Sequence, residues 1–527
     1  MLGSVSNAED ITIVYKGSTA KVEQKTKDSV KVAVNGANVN IESLYKDHKL
    51  TLRLKGKSDD GQLTLKTAGK AKVTLDGLKL TSQEGAPLDL KNKKKVELVA
   101  AKGTENVLTV TACNDTANHK AAVIWAKDKL LLSGKGTLNV IATGDGCRGI
   151  KTKKDITIEE LTLNVTTTGD NLGEKPFGFG GFPGMPEGGF QMPEGGFQMP
   201  EGGFPDFGGG FPGGMPDFGG GFPMGNDSTR RGGFPGFPGG GFPGGMPDFG
   251  GGFPMGNDST MRGGFPMGGF GGFGNRDENE DGEEGGFGGF GGKRKYVAST
   301  KGIASKGKIT INSGNVTVRT TTAGAEGIEG KDGIVFNGGN IDVFTTDDAI
   351  NANNTIEFNG AHVVARSKGN DAVDSNPKGG FFMSFGGNNN QDTDPAIVIN
   401  GGTVYAWSQV GSPEEGLDGD FAPFVINGGT IFSVGGGMGE MPSVPTNETA
   451  KQPTVLLIGI NIVKDEPVYI YDGGGKLINT VTIPFSLRRS ASLVGSPAFK
   501  IGGTYTVKTK GYEKTFTLAE NFTAVRQ

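Results

Sequence analysis

The residues of this 527-residue chain best suited to chemistry are carboxylates that recur at a fixed interval. In residues 345–376, TTDDAINANNTIEFNGAHVVARSKGNDAVDSN, the pair Asp347-Asp348 stands before Ala349-Ile350, and twenty-three residues later Asn370-Asp371 stands before Ala372-Val373. Taking Ile328, Ile350 and Val373 as anchors, Glu326, Asp348 and Asp371 lie two residues before them, with Lys301 and, by analogy, Glu415 at the same place in neighbouring copies. Glu329 and Asp374 lie one residue after their anchors. If the copies stack as strands about 4.8 Å apart, unit charges in such a column repel by about 1 kcal/mol in water and several times more near a protein surface. Protonation, a basic neighbour or a bound cation must relieve that repulsion. Calcium suits the pattern best, because it accepts about six to eight oxygen ligands, carboxylates and turn carbonyls among them. The acids that these columns offer to a cation are Glu326, Asp348, Asp371 and Glu415 two residues before the anchors, Asp347 and Glu414 three before, and Glu329, Asp374 and Asp418 one after. The competing reading has these side chains fan into solvent or cap their own turns.

A second column lies sixteen residues after each anchor, at Arg319, Phe344 and Arg366, with Trp407 at the equivalent place and Asp342, Tyr405 and Phe432 two residues earlier in the repeat. An aromatic face beside a guanidinium fork suits a sugar that carries a carboxylate, the ring stacking and the acid taking paired hydrogen bonds. The candidate carbohydrate-binding residues are Arg319, Phe344, Arg366, Tyr405 and Trp407; the alternative is that such aromatics pack under loops. No catalytic residue is assigned. Three histidines and two cysteines leave little for a zinc site or a Cys/His nucleophile. Arg366 or Lys368 is a conceivable base for a calcium-assisted lyase, but no copy sets a base, several acids and a groove apart from background.

The elements that must hold these columns are short strands. Behind Ile303 come Ile309, Ile311, Val316 and Val318; behind Ile328, at the same offsets, come Ile334, Phe336, Ile341 and Val343; behind Ile350 come Ile356, Phe358, Val363 and Ala365. Ile150 opens another copy, Val123 an earlier and looser one, and AIVINGGTVYA and FVINGGTIFSV preserve the second half of two later ones. No copy buries its apolar face alone, and stacking them does. The expected fold is all-β, a right-handed parallel β-helix (solenoid) with irregular N-terminal coils and a small C-terminal β cap. Asn312, Asn337, Asn359, Asn400 and Asn427 share one turn and predict an asparagine ladder.

The expected organisation is an N-terminal β-rich start over residues 1–110, first coils over 111–170, a Gly/Phe/Pro/Met-rich disordered insert over 171–298, coils with acidic turns over 299–440, and a cap over 441–527. The insert carries a duplicated GGGFPGGMPDFGGGFPMGNDST and an acidic RDENEDGEE that lacks EF-hand spacing. The net charge of −4 and the absence of a basic stripe argue against nucleic acid, and no run of eighteen apolar residues predicts a membrane-spanning helix. MLGSVSNAED lacks the apolar segment of a signal peptide, so the chain is expected to be either cytoplasmic or a mature or truncated form. Cys113 and Cys147 either pair, in a secreted protein, or stay as buried thiols.

Three stretches carry a resemblance: LLLSGKGTLNVIATGDGCRGIKTKKDITI at 130–158, AEGIEGKDGIVFNGGNIDVFTTDDAINA at 325–352 and SLVGSPAFKIGGTYTVKT at 492–509. With them the chain resembles the bacterial carbohydrate-binding parallel β-helix family typified by a clostridial, calcium-containing protein that binds acidic plant polysaccharide and is similar in fold to pectate lyases. The resemblance implies secretion or cell-surface display, bound calcium, and affinity for polygalacturonate-like or cellulosic polymers. Carried over by position, it implies Glu326, Glu329, Asp347, Asp348, Asp371 and Asp374 as the calcium ligands. The turn GDGCRGIK departs from it, with Arg148 and Lys151 where later turns have acids, so no calcium is expected between the first coils, where Asp145 stands alone. The expected function is non-catalytic, calcium-dependent binding of acidic polysaccharide outside the cell or on its surface. The alternatives are a polysaccharide lyase of pectate-lyase type and an adhesive surface protein that calcium merely staples.

Overall fold

The computed structural model describes residues 10–25, 29–113, 121–174, 296–377, 394–419, 422–436 and 442–527. The Gly/Phe/Pro-rich stretch from 175 to 295, including RDENEDGEE, lies outside the described residues, as does any disorder expected of it. Every described element is a strand. No described helix is long and apolar enough to cross a membrane.

The strands fall into parallel ladders in long sheets, a β-solenoid-like arrangement. Each repeat contributes one strand to an 11-stranded sheet and two to a 23-stranded sheet. The anchors set the first of these: Ile150 pairs with Ile303, Ile303 with Ile328, Ile328 with Ile350, Ile350 with Val373 and Val373 with Leu417. The next apolar pairs form a second ladder, Ile156–Ile309–Ile334–Ile356–Ile397–Phe424. A third runs Leu163–Val316–Ile341–Val363–Val404–Ile431. All of these side chains are at most 3% exposed and share one continuous core. Burying each is worth about 1.5–3 kcal/mol, which is why a β-branched or aromatic residue fills almost every inward place.

The looser early copy shifts by one. Ile124, not Val123, pairs with Ile150 and with Leu88, although both side chains are fully buried. In a strand whose two faces are both covered, alternation no longer distinguishes inside from outside, and the hydrophobic pattern loses its register information.

At one corner the asparagines form a ladder. Each Nδ2 donates to the Oδ1 of the preceding coil, Asn337 to Asn312 (2.9 Å), Asn359 to Asn337 (2.8 Å), Asn400 to Asn359 (2.7 Å) and Asn427 to Asn400 (2.6 Å). The glycines beside them let the backbones approach: Gly402 has φ +82°, and a Cβ there would meet the Ala361 carbonyl oxygen at 2.3 Å.

Coils continue into the N-terminal part, where Leu50–Ser58, Ala71–Ser82 and Val96–Ala100 pair in parallel, and two antiparallel hairpins open the chain. At the other end Thr454–Ile462 and Leu487–Gly495 pair antiparallel beside the last coil, next to a separate four-stranded antiparallel sheet. Cys113 and Cys147 form a disulfide, Cα atoms 5.8 Å apart. Leu172–Glu174 and Tyr296–Ala298, both within the stretch assigned to the insert, form an antiparallel pair at its mouth.

Candidate functional site

The candidate metal ligands all descend from the anchor ladder, because residues two before and one after an inward anchor sit at the ends of strands whose centres are fixed by core packing. Along that ladder Lys301 pairs with Glu326 and Ala304 with Glu329, then Glu329 with Asn351, Asn351 with Asp374 and Asp374 with Asp418. The six acids do not form one group.

Glu326 and Glu329 are paired with lysines. Lys301 Nζ lies 2.7 Å from Glu329 and 3.3 Å from Glu326, and Lys331 Nζ lies 2.6 Å from Glu329. Lys301 and Glu329 are almost wholly buried. Burial alone would raise the Glu329 carboxyl, yet the two ammonium groups hold it far below the usual carboxylate range. Glu326 goes the other way: burial raises it in spite of Lys301, and Glu329 and Asp348 add to the rise, so the lysines neutralise Glu329 and only partly offset Glu326.

Asp348, Asp371 and Asp374 do come together. Each offers a carboxylate oxygen within 4.8 Å of the others, and all three are buried. The Asn351 amide donates 3.0 Å hydrogen bonds to both Asp348 and Asp374, and the Asn376 amide donates to Asp374 at 2.8 Å. The Glu415 backbone N–H donates to Asp371 Oδ1. These amides orient the carboxylates, as outer partners of metal ligands commonly do. The Asp371 carboxyl is pushed well above its ordinary value, first by burial and then by Asp418, Asp348 and Asp374. Three buried acid oxygens converging in this way can hold a metal ion, and an all-oxygen set suits a hard cation. Asp347 is not part of the triad; it is half-buried in the same turn, immediately before Asp348.

Position within the repeat located all of these acids, but not which of them a lysine would neutralise. Lys331 was missed because it follows the strand instead of standing in an acid column. Asn351 and Asn376 were missed as orienting groups because amides carry no charge signal. At the early coils Arg148 and Lys151 are buried on the same face. Burial, with Arg148, Lys306 and Lys301 nearby, pushes the Lys151 amine down to about 5.

The second column is in register as expected, Arg319 with Phe344, Phe344 with Arg366 and Arg366 with Trp407. Its side chains are engaged differently. Arg319 and Arg366 both bind Asp342, Arg366 at 2.6 Å, so their forks already hold a carboxylate. Trp407 is only 5% exposed, donates to the Phe432 carbonyl and packs in a second core with Phe432 and residues of the C-terminal strands. The cap covers this platform, so a sugar has no open Trp407 face to stack on. Tyr405 is half-buried between Trp407, stacked at 5.8 Å, and His362, edge-on at 6.0 Å. Phe344 is half-buried, with Arg366 and Lys368 each 5.3 Å from its ring. An open groove of about 540 Å³ remains between Asn340, Asp342, His362 and Arg366 on one side and Thr482 and Pro484 on the other.

A family model described as carbohydrate-binding domain-containing protein matches residues 35–175, 275–372 and 296–454, together more than half of the chain. A carbohydrate-binding domain-containing protein of Acetivibrio thermocellus is 33% identical over 117 residues, which are 21% of this chain and 40% of that relative's length. A solved structure described as the polysaccharide lyase-like protein from C. thermocellum, in a gadolinium derivative, is 17% identical and covers 70% of this chain and 92% of its own, with a TM-score of 0.37.

Proposed function

Since the chain belongs to the family of carbohydrate-binding domain-containing proteins, we propose that it is a non-catalytic, calcium-dependent binder of acidic, polygalacturonate-like polysaccharide, built as a right-handed parallel β-helix. The observation that carries this reading is the convergence of Asp348, Asp371 and Asp374. These three would hold calcium, with Asn351 and Asn376 orienting them. Calcium bound there supplies positive charge to which uronate carboxylates are attracted. The triad brings three acids to one cation, so their mutual repulsion falls on binding.

The Cys113–Cys147 disulfide supports placement outside the cell or on its surface, because thiols persist as disulfides in oxidising compartments. Arg366 lines the cap-walled groove with Asp342 and His362 and would contact sugar there, its guanidinium held by Asp342; Arg319, Phe344 and Tyr405 stand on the paired strands around it and would take part only through a longer ligand.

The test is calorimetric titration of polygalacturonate with calcium and then with chelator, while absorbance of unsaturated products is followed. Binding that strengthens with calcium and leaves the polymer intact is the expected result. Release of unsaturated ends would replace this reading with a lyase. Binding indifferent to calcium would remove the triad from the ligand site and leave calcium, if bound, as a staple of an adhesive protein.

A further inference from the structure

The strands Gln62–Thr67, Leu88–Asn92, Ala122–Ala126, Arg148–Thr152, Lys301–Ser305 and Glu326–Gly330 are successive members of the anchor ladder. The turns that leave them read KTAGK, KNKKK, KDK, KKD, KGK and KDG, thirteen lysines against three aspartates. The register aligns them. Lys66 pairs with Lys91. Lys91, Lys127, Lys153, Lys306 and Lys331 each follow a member of the paired series Leu90–Ala126–Thr152–Ser305–Gly330. The result is one lysine per coil for six coils, three of them paired with carboxylates: Lys66 with Glu42 at 2.8 Å, Lys91 with Asp89 at 3.1 Å and Lys331 with Glu329 at 2.6 Å. A second row precedes the next ladder at Lys70, Lys95, Lys129 and Lys308, interrupted by Asp155. Lys95, Lys127, Lys129, Lys306 and Lys308 are exposed. The ammonium groups are close enough to act on one another: burial, then Lys153, Arg148 and Lys331, lowers the Lys306 pKa.

The row ends where the triad begins. Past Lys331 the same place is Asn353. Lys331 bonds Glu329, whose register partner Asn351 donates to Asp348 and Asp374.

We propose that this lysine row is a second, calcium-independent site for a linear acidic polysaccharide, laid along the stack so that successive uronates meet successive lysines. The proposal rests on the reading of the ligand as an acidic glycan. Spacing and charge density argue for it. Rungs about 4.8 Å apart carry one lysine each, with Lys66, Lys91 and Lys331 exchanging a solvent-accessible ion pair for a glycan carboxylate, and a 1,4-linked uronate chain presents one carboxylate per sugar at a comparable advance. Duplex nucleic acid carries about one charge per 1.7 Å of axis, wound around a helix, which a straight single-file row does not match. One exposed lysine–carboxylate pair is worth at most about 1 kcal/mol. Useful affinity therefore requires the whole row, roughly 24 Å over five intervals.

Polygalacturonate titrated into the full chain in chelator tests this, using wild type and the variant K127Q/K153Q/K306Q/K308Q. Wild type should keep chelator-resistant binding that weakens about tenfold or more between 50 and 200 mM salt. The variant should lose that binding at least tenfold yet keep the calcium-dependent increment, whereas Asp371→Asn should do the reverse. The corresponding lysine-to-arginine variant keeps the charge and should bind as wild type does. The proposal is overturned if wild type shows no chelator-resistant binding at low salt, if the glutamine variant binds unchanged, if the arginine variant loses binding, or if duplex DNA displaces the glycan at equal charge concentration. The wild-type salt dependence needs no variant to fold. Loss of the calcium increment alone would count against the triad, not against the row.

Discussion

Glu329 and Asp371 are buried acids a coil or two apart on the same ladder, and they behave oppositely. Around Glu326 and Glu329, Lys301 and Lys331 bring balancing charge, and Glu329 stays ionised far below its ordinary range. Around Asp348, Asp371 and Asp374, asparagine amides replace the lysines, and Asp371 is pushed the other way by burial and by the surrounding acids. The repeat supplies the same positions to both. A lysine two residues before an anchor makes a structural cluster, and an aspartate there makes a place for a cation.

The comparison breaks most sharply at Lys301. Lys301→Ala leaves buried Glu329 and partly buried Glu326 short of their counter-charge and should cost about 3–5 kcal/mol, read as a lowered denaturation midpoint. Retained stability would mean that Glu326 and Glu329 are not a structural cluster at all. The next effect belongs to the triad. Asp371→Asn removes one charged ligand and should weaken calcium binding by roughly 10- to 100-fold, on the scale of lost metal-site partners, while Glu329→Gln should leave calcium binding unchanged.

A smaller effect is the pH response without calcium. The folded-state pKa of Asp371 is raised, so between its ordinary value of 3.8 and that raised value the native state binds more protons than the unfolded state. Stability from this group is therefore greatest at low pH and is lost as pH rises through the window. In chelator, Asp371→Asn should melt several degrees above wild type at neutral pH, and the gap should close as pH falls towards 4. A gap that widens on acidification would reverse the assigned sign. The smallest effect is at the asparagine corner. Asn359→Ala removes two exposed ladder bonds, to Asn337 and from Asn400, and should cost about 0.5–1.5 kcal/mol with no change in calcium affinity.

The spacing of Ile303, Ile328, Ile350 and Val373 made the stacked architecture legible, because each must point inward and core packing tolerates no slip. The asparagine turn was legible for the same reason. Val123 misled because its strand is covered on both sides, so its buried neighbour Ile124 carried the register. Position within the repeat placed all of the candidate acids, but which of them converge and which a lysine reaches depended on three-dimensional reach, which spacing does not encode. Trp407 shows the same limit. Its outward place was readable, but the strands of the C-terminal cap that cover it lie about fifty residues and more downstream and outside the repeat.

The most direct test of the central claim is calorimetric titration of calcium into chelator-stripped wild type, Asp371→Asn and Glu329→Gln. Binding by wild type and Glu329→Gln that is lost or strongly weakened in Asp371→Asn is the predicted result. Equal binding by Asp371→Asn, or loss in Glu329→Gln alone, would contradict the assignment of the cation to Asp348, Asp371 and Asp374.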